Sequence, residues 1–197
     1  MKTTLALFDF DGTITTCDTF FGFNKMLCGN PKYYTGLILY SPFIVLFLLK
    51  IISADVLKQH LLYFYLKGYN KTHLTQVAEQ YYVYLVQNKY INPVVIAQLN
   101  TYVNDANTDV AIVSASADVW INVACKHFGA QCIATRLAFT DDGYFTGKFI
   151  GKNCNDQEKV ERITEEYNLQ DYTKIVAYGN SKHDIPMLNL AHQKNWV

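Results

Sequence analysis

Leu5-Ala6-Leu7-Phe8-Asp9-Phe10-Asp11-Gly12-Thr13 is a short apolar run that admits two carboxylates and then stops at Asp-Gly. That is the pattern of a parallel strand, buried on both faces, that ends in a loop. Val110-Ala111-Ile112-Val113 repeats it and stops at Ser114; Ile175-Val176-Ala177-Tyr178 repeats it again and stops at Gly179-Asn180-Ser181. Helical patterns separate these runs, at 118–128, 156–167 and, more briefly, 184–191. Strands alternating with helices predict an α/β fold with a Rossmann-like parallel sheet. Ligands of such sheets bind at the carboxyl ends of the strands, where all three runs carry polar residues.

Residues 16–92 break this rhythm. They are rich in aromatics, read as helices punctuated by Pro31, Pro42 and Pro93, and predict an inserted helical cap. The expected division is a core domain of residues 1–15 and 93–197 and a cap of residues 16–92. A hairpin is expected where Leu137 to Thr140 and Tyr144 to Phe149 flank Asp141-Asp142-Gly143. Within the cap, Tyr33 to Leu49 carries no formal charge. A spanning helix needs about 20 apolar residues, and Ser41-Pro42 interrupts this stretch before Lys50 closes it. A buried pair of cap helices is one reading. An apolar surface that leans on a membrane or grips a greasy substrate is the other.

Composition narrows the partners. Lys+Arg and Asp+Glu balance at 17 each, with no basic run, so nucleic acid is not an expected partner. The five cysteines are scattered, without zinc-ligand spacing, which fits reduced thiols in a cytoplasmic protein. The apolar N-terminus is unlike a signal peptide, because Asp9 and Asp11 interrupt it and no small-residue cleavage site follows.

Asp9 and Asp11 start on the same side of a strand, although a turn at Gly12 can re-aim the second. Paired carboxylates raise one another's pKa unless a cation holds them, and Mg2+, a hard ion with oxygen ligands, suits that position. Alone, an Asp-x-Asp-Gly segment is more often a turn.

The rest of the chain changes that reading. Phe8-Asp9-Phe10-Asp11-Gly12-Thr13 resembles the first motif of the haloacid dehalogenase-like hydrolases. Ser114, in Ile112-Val113-Ser114-Ala115-Ser116, resembles the second motif; Tyr178 to Leu188, with Asn180 and Asp184, resembles the fourth. Asn153-Cys154-Asn155-Asp156-Gln157-Glu158-Lys159-Val160 is similar to the third motif of subfamily IB, with Asp156 where that pattern has glycine. An insertion between the first two motifs is the C1 cap arrangement of that subfamily, which includes phosphoserine phosphatases and phosphatidylglycerophosphate phosphatases.

The resemblance implies a Mg2+-dependent phosphomonoester hydrolase. Asp9 would be the nucleophile that forms an aspartyl-phosphate, and Asp11 the acid and base. Ser114 would position the phosphoryl group, with Gly12, Thr13 and Ala115 beside it. Lys159, or Lys152 as second choice, would neutralise charge. Asp9, Asp11 through its carbonyl, Asn180 and Asp184 would hold the ion. Asn180 stands where aspartate is common and supplies one formal charge fewer. The cap's greasiness points to a lipid phosphate such as phosphatidylglycerophosphate, with peripheral membrane contact through 33–49. The alternatives are a small soluble ester resembling phosphoserine and a non-catalytic binding module of the same fold.

Overall fold

Leu5 and Leu7 point to one side of the first strand and Ala6 and Phe8 to the other, and none has exposed surface. The strand period of two thus feeds two separate cores, one on each face of the sheet. The computed structural model, which describes residues 2–197, places this strand (β1, Thr4–Phe8) at the centre of a parallel five-stranded sheet. The order is β3-β2-β1-β6-β7, with β2 at Thr108–Ala117, β3 at Gln131–Thr135, β6 at Lys174–Gly179 and β7 at Gln193–Trp196. Phe8 lies beside Ile112 on one flank and Tyr178 on the other; β6 ends one residue later, and β2 runs five residues further, to Ala117. This is the expected α/β fold, with helices on both faces.

Behind one face, Leu5, Leu7, Val113 and Ala177 pack against Ile163 of α7 (Gln157–Glu166) and Met187 and Leu188 of α8 (Ile185–Asn189). Behind the other, Ala6, Phe8, Ile112 and Val176 pack against α5 (Pro93–Val103) and α6 (Asp118–Phe128). Helix α6 spans the predicted residues and ends at Gly129, whose φ of +71° suits the left-handed C-cap glycine favours. The edge strands β3 and β7 were not expected. Both are short, and Gln193-Lys194-Asn195-Trp196 has the polar character of an exposed edge rather than of a buried run.

Four helices fill the segment between β1 and α5: α1 (Thr19–Leu39), α2 (Ser41–Leu48), α3 (Ala54–Leu66) and α4 (Lys71–Gln87). Gly29, at φ +73°, kinks α1 just ahead of Pro31. The entering and leaving chains run side by side, with Thr16 N–H donating to the Tyr90 carbonyl and Asn92 N–H to that of Ile14, both at 2.8 Å. Phe23 of α1 stacks on Trp120 of α6 with ring centroids 4.6 Å apart, joining the helices to the core behind the sheet. The expected hairpin forms as β4 (Leu137–Phe139) and β5 (Phe145–Phe149), a separate two-stranded sheet.

The buried-pair reading of 33–49 does not hold for its second helix. Tyr33 and Gly36 of α1 are buried, but no residue of α2 is. Among the described residues, no helix is long and apolar enough to cross a membrane.

Candidate active site

The chain leaves β1 at Asp9, whose N–H donates to the Tyr178 carbonyl of β6 at 2.9 Å. It then turns at Gly12, with φ +81°; a side chain there would also collide with the Asn180 carboxamide. The turn is therefore restricted to glycine on two counts. It points Asp9 and Asp11 towards the ends of the neighbouring strands but gives them different surroundings.

Asp9 is 6% exposed. Thr13 donates to its Oδ2 at 2.9 Å and Lys159 Nζ to its Oδ1 at 2.6 Å. Lys159 reaches it from the first turns of α7, whose buried residues Lys159, Arg162 and Ile163 form one helical face. Arg162 anchors that face, donating to the carbonyls of Ala134 and Lys152 at 2.6 Å each. Lys159 also donates to Asp184 Oδ1 at 2.6 Å. Asp184 in turn accepts at Oδ2 from the Ser181 hydroxyl and from the N–H groups of Ser181 and Asn180, at 2.8 to 3.2 Å. Ser181 and Asp184 make a capping box, so the short turn after β6 fixes the carboxylate.

Burial and the charges of Asp184 and Asp11 outweigh Lys159 and push the Asp9 pKa up to about 6. Burial also works against the Asp184 charge, but Lys159 and the donors from Ser181 overcome it and leave that group below its ordinary value. Lys159 itself is held charged: burial opposes the ammonium, and Asp9 and Asp184 more than compensate.

Asp11 is gripped from another direction. Oδ1 accepts from the Thr19 N–H at 2.7 Å and the Thr19 hydroxyl at 2.5 Å. Oδ2 accepts from the Ser116 hydroxyl at 2.6 Å and, more distantly, from Ser114 at 3.4 Å. Trp120 Nε1 donates to the Thr19 hydroxyl at 3.1 Å and completes the chain of bonds.

These groups line a cavity of about 430 Å3. Its floor holds Asp9, Asp11, Lys159 and Asp184, and Ala115, Ser116, Asn153 and Ser181 line its sides. Ser114, Gly12, Thr13 and Asn180 stand behind this lining rather than in it. Ser114 has no exposed surface, because its hydroxyl accepts from Ser116 N–H at 3.0 Å and turns towards Asp11. Lys152 stays on the surface beside Glu158 and Glu161. His183 lines the cavity edge and pairs with Asp156 at 2.9 Å. Asp156 has φ +48°, which explains why glycine would suit that position.

Further residues complete the cavity. Lys58, on α3, donates to Asn153 Oδ1 at 2.8 Å and to the Ala115 carbonyl, bridging the helical segment to the strand ends. Burial pushes its pKa down to about 8. Ala54, Leu57, Lys58 and Leu61 all line the cavity and follow helical spacing, so one lysine in an apolar stripe was the available signal. Asp18 both caps α1, accepting from Phe20 N–H at 2.9 Å, and lines the cavity. Its pKa is raised by burial and by the nearby Asp11. Ser116 lies two residues after Ser114, and strand periodicity could have paired the two. Phe20, Phe21, Phe47, Leu57 and Leu61 form an apolar wall.

With Asp9, Asp11, Asp18 and Asp184 set against Lys58 and Lys159, the cavity has two more carboxylates than ammonium groups. An anionic substrate would be repelled unless a cation entered with it. The available donors, carboxylates and an amide oxygen, are the hard oxygen ligands that Mg2+ takes, with water and phosphate completing its shell. Among the described residues, no group of three His, Cys, Asp or Glu could hold an ion without such help.

The sequence profile of the haloacid dehalogenase-like hydrolases matches residues 6–189. Over 193 residues the chain is 29% identical to the protein CicA of Caulobacter vibrioides, covering 98% of this chain and 85% of CicA. The fold superposes on a Bordetella pertussis protein of unknown function with a TM-score of 0.84 at 19% identity, covering 98% of this chain and 89% of that one. It superposes on a phospho-aspartyl intermediate analogue of phosphoserine phosphatase with a TM-score of 0.60 at 22% identity, covering 98% and 86%. The two superpositions speak for the fold, and the profile covers every strand-end group described above: the chain belongs to the haloacid dehalogenase-like hydrolase family.

Proposed function

We propose that the chain is a Mg2+-dependent phosphatase that hydrolyses phosphomonoesters through an aspartyl-phosphate on Asp9. The carrying observation is Lys159, held at 2.6 Å from both Asp9 and Asp184 in a cavity with surplus negative charge. An Asp9 oxygen attacks phosphorus as the ester P–O bond breaks, and Asp11 gives its proton to the departing oxygen. Water then attacks phosphorus, Asp11 takes the proton back, and the P–O bond to Asp9 breaks to release inorganic phosphate. Thr19 and Ser116 hold Asp11 in line for both transfers. Lys159 and Lys58 offset the charge that collects on the phosphoryl group. Asp9, Asp184, Asn180 and the Asp11 carbonyl would hold the ion, which supplies charge shielding between phosphate and carboxylate when bound. Residues 16–92 serve as a C1 cap of the subfamily IB kind.

Two substrate readings have separate support. The wall of Phe20, Phe21, Phe47, Leu57 and Leu61 favours a greasy leaving group, such as that of phosphatidylglycerophosphate. Asp18 and Lys58, both lining the cavity, favour a small ester that carries an amine and an acid, as phosphoserine does. Turnover of a panel containing both decides between them.

The test of the activity itself is phosphate release from para-nitrophenyl phosphate with and without Mg2+. Asp9→Asn should lose about 10^4-fold or more in kcat. Equal inactivity of wild type and Asp9→Asn against a broad ester panel would show a binding module instead.

A further inference from the structure

Helix α2 is only partly covered: Phe43, Ile44 and Leu46 are half-buried, with Phe43 against Tyr40 and His60, and the rest of its surface is open. Its eight residues, Ser41–Leu48, include none that is buried. Val45 is 52% exposed and Leu48 69%, and Ile38, Leu39, Leu49 and Ile51 beside them are between 58% and 74% exposed. A helix in water ordinarily turns polar residues outward, and a continuous apolar surface marks a place where something else binds.

Charge identifies the partner. Between Asp18 and Asp55 there is no acidic residue, only Lys25, Lys32 and Lys50. Lys50 follows the helix directly and is exposed, with φ +60°. Lys25 lies over the exposed Tyr34 ring, 5.6 Å from its centroid. An apolar surface on a segment that carries lysines and no acid complements an anionic lipid surface, where acyl chains lie beneath phosphate. At about 1.5 Å per residue α2 is about 12 Å long, too short to cross a hydrocarbon core of about 30 Å. It is long enough to lie in the headgroup boundary. Phe47, on the same helix, lines the cavity, so the apolar surface continues into the wall of the candidate active site.

We propose that α2, with Ile38, Leu39, Leu49 and Ile51, docks the protein on an anionic phospholipid bilayer, with Lys50 at the headgroups. The proposal is independent of which ester the cavity hydrolyses.

Sedimentation of the full chain with vesicles of phosphatidylcholine, alone or with phosphatidylglycerol, tests it. Wild type should sediment with the mixed vesicles and be released by high salt, because surface electrostatics is screened. Leu48→Asp with Leu49→Asp should lower the partition by about tenfold for each leucine no longer buried. Lys50→Glu should weaken binding to mixed vesicles alone. Both leucine sites are exposed, so the double variant should melt as wild type does and keep its turnover of para-nitrophenyl phosphate. Asp9→Asn should bind vesicles fully, which separates docking from catalysis. Failure of wild type to bind either vesicle overturns the proposal. So does equal binding by the double variant, or a vesicle-indifferent dimer that the double variant dissociates, which would assign the surface to a second copy of this chain.

Discussion

At the ends of β1 and β6, Lys159, Asp9 and Asp184 are almost wholly buried, and each meets the others or a neighbouring donor within about hydrogen-bond distance. On α2 no side chain is fully buried, and Val45, Leu48 and the adjoining Leu49 face outward. Both regions come from the same chain and both border one cavity, yet they respond to opposite perturbations. Inside the floor, removing a charge strands its partners, because buried ions have no water to return to. On α2 a new charge strands nothing; it changes only what the surface can adhere to.

The sharpest way to break this contrast is Lys159→Met. Without the ammonium, Asp9 and Asp184 face each other across a buried gap, at a cost of about 3–5 kcal/mol. Calorimetry without metal should show Tm lower by about 10 °C, and para-nitrophenyl phosphate turnover should fall about 100- to 1000-fold or more. The α2 double variant should change neither. A Lys159→Met protein that melts with wild type would remove the distinction.

A smaller effect is expected where the two regions meet, at Lys58. Its amine becomes neutral above pH about 8, so the KM for an anionic ester should rise as the pH passes that value. Lys58→Met should raise KM about tenfold near neutral pH and lose this alkaline limb, while Lys58→Arg should keep a low KM without it. Steady-state kinetics across the range separates the three proteins.

The smallest expected effect is in Asp9. Its proton is bound with a pKa of about 6 in the folded chain against 3.8 when free of the fold, so stability falls as the pH rises through about 6 and recovers as it drops. Asp9→Asn escapes this penalty. In metal-free buffer it should melt several degrees above wild type near pH 8, and the two should converge below about pH 4. A constant gap across that range would place the cost of Asp9 in its shape and not its charge.

Much of the floor is legible in the sequence, because strand ends compress chemistry into consecutive residues. Asp9 and Asp11, and Asn180 and Asp184, sit within single short segments that the parallel-strand pattern already places side by side. Ser114 shows where that reading thins. Its strand was evident, but whether its hydroxyl faces the cavity depends on Ser116 and Asp11, one of them 103 residues away in sequence. Lys58 is only partly legible for a related reason. Helical spacing put it on a stripe with Leu57 and Leu61, but only the packing of α3 over the strand ends aims that stripe at the cavity. The edge strands escaped because polar residues at a sheet margin look like loop. The chargeless stretch to Leu49 stood out at once, yet its exposure on α2 is a property of what α1 and α3 leave uncovered.

The bonds around Asp11 have a consequence for fidelity. Two of them come from Thr19, the first residue of α1, and Trp120 of α6 steadies that threonine from the other side. The group proposed to deliver the proton is thus aimed by the helix that begins the wall meeting the leaving group. A molecule that fits the floor but wedges α1 away would meet a nucleophile whose proton donor had lost two of its supports. Under the proposed mechanism, discrimination among esters would be exercised through proton delivery as well as through fit, with a poor fit penalised at the chemical step.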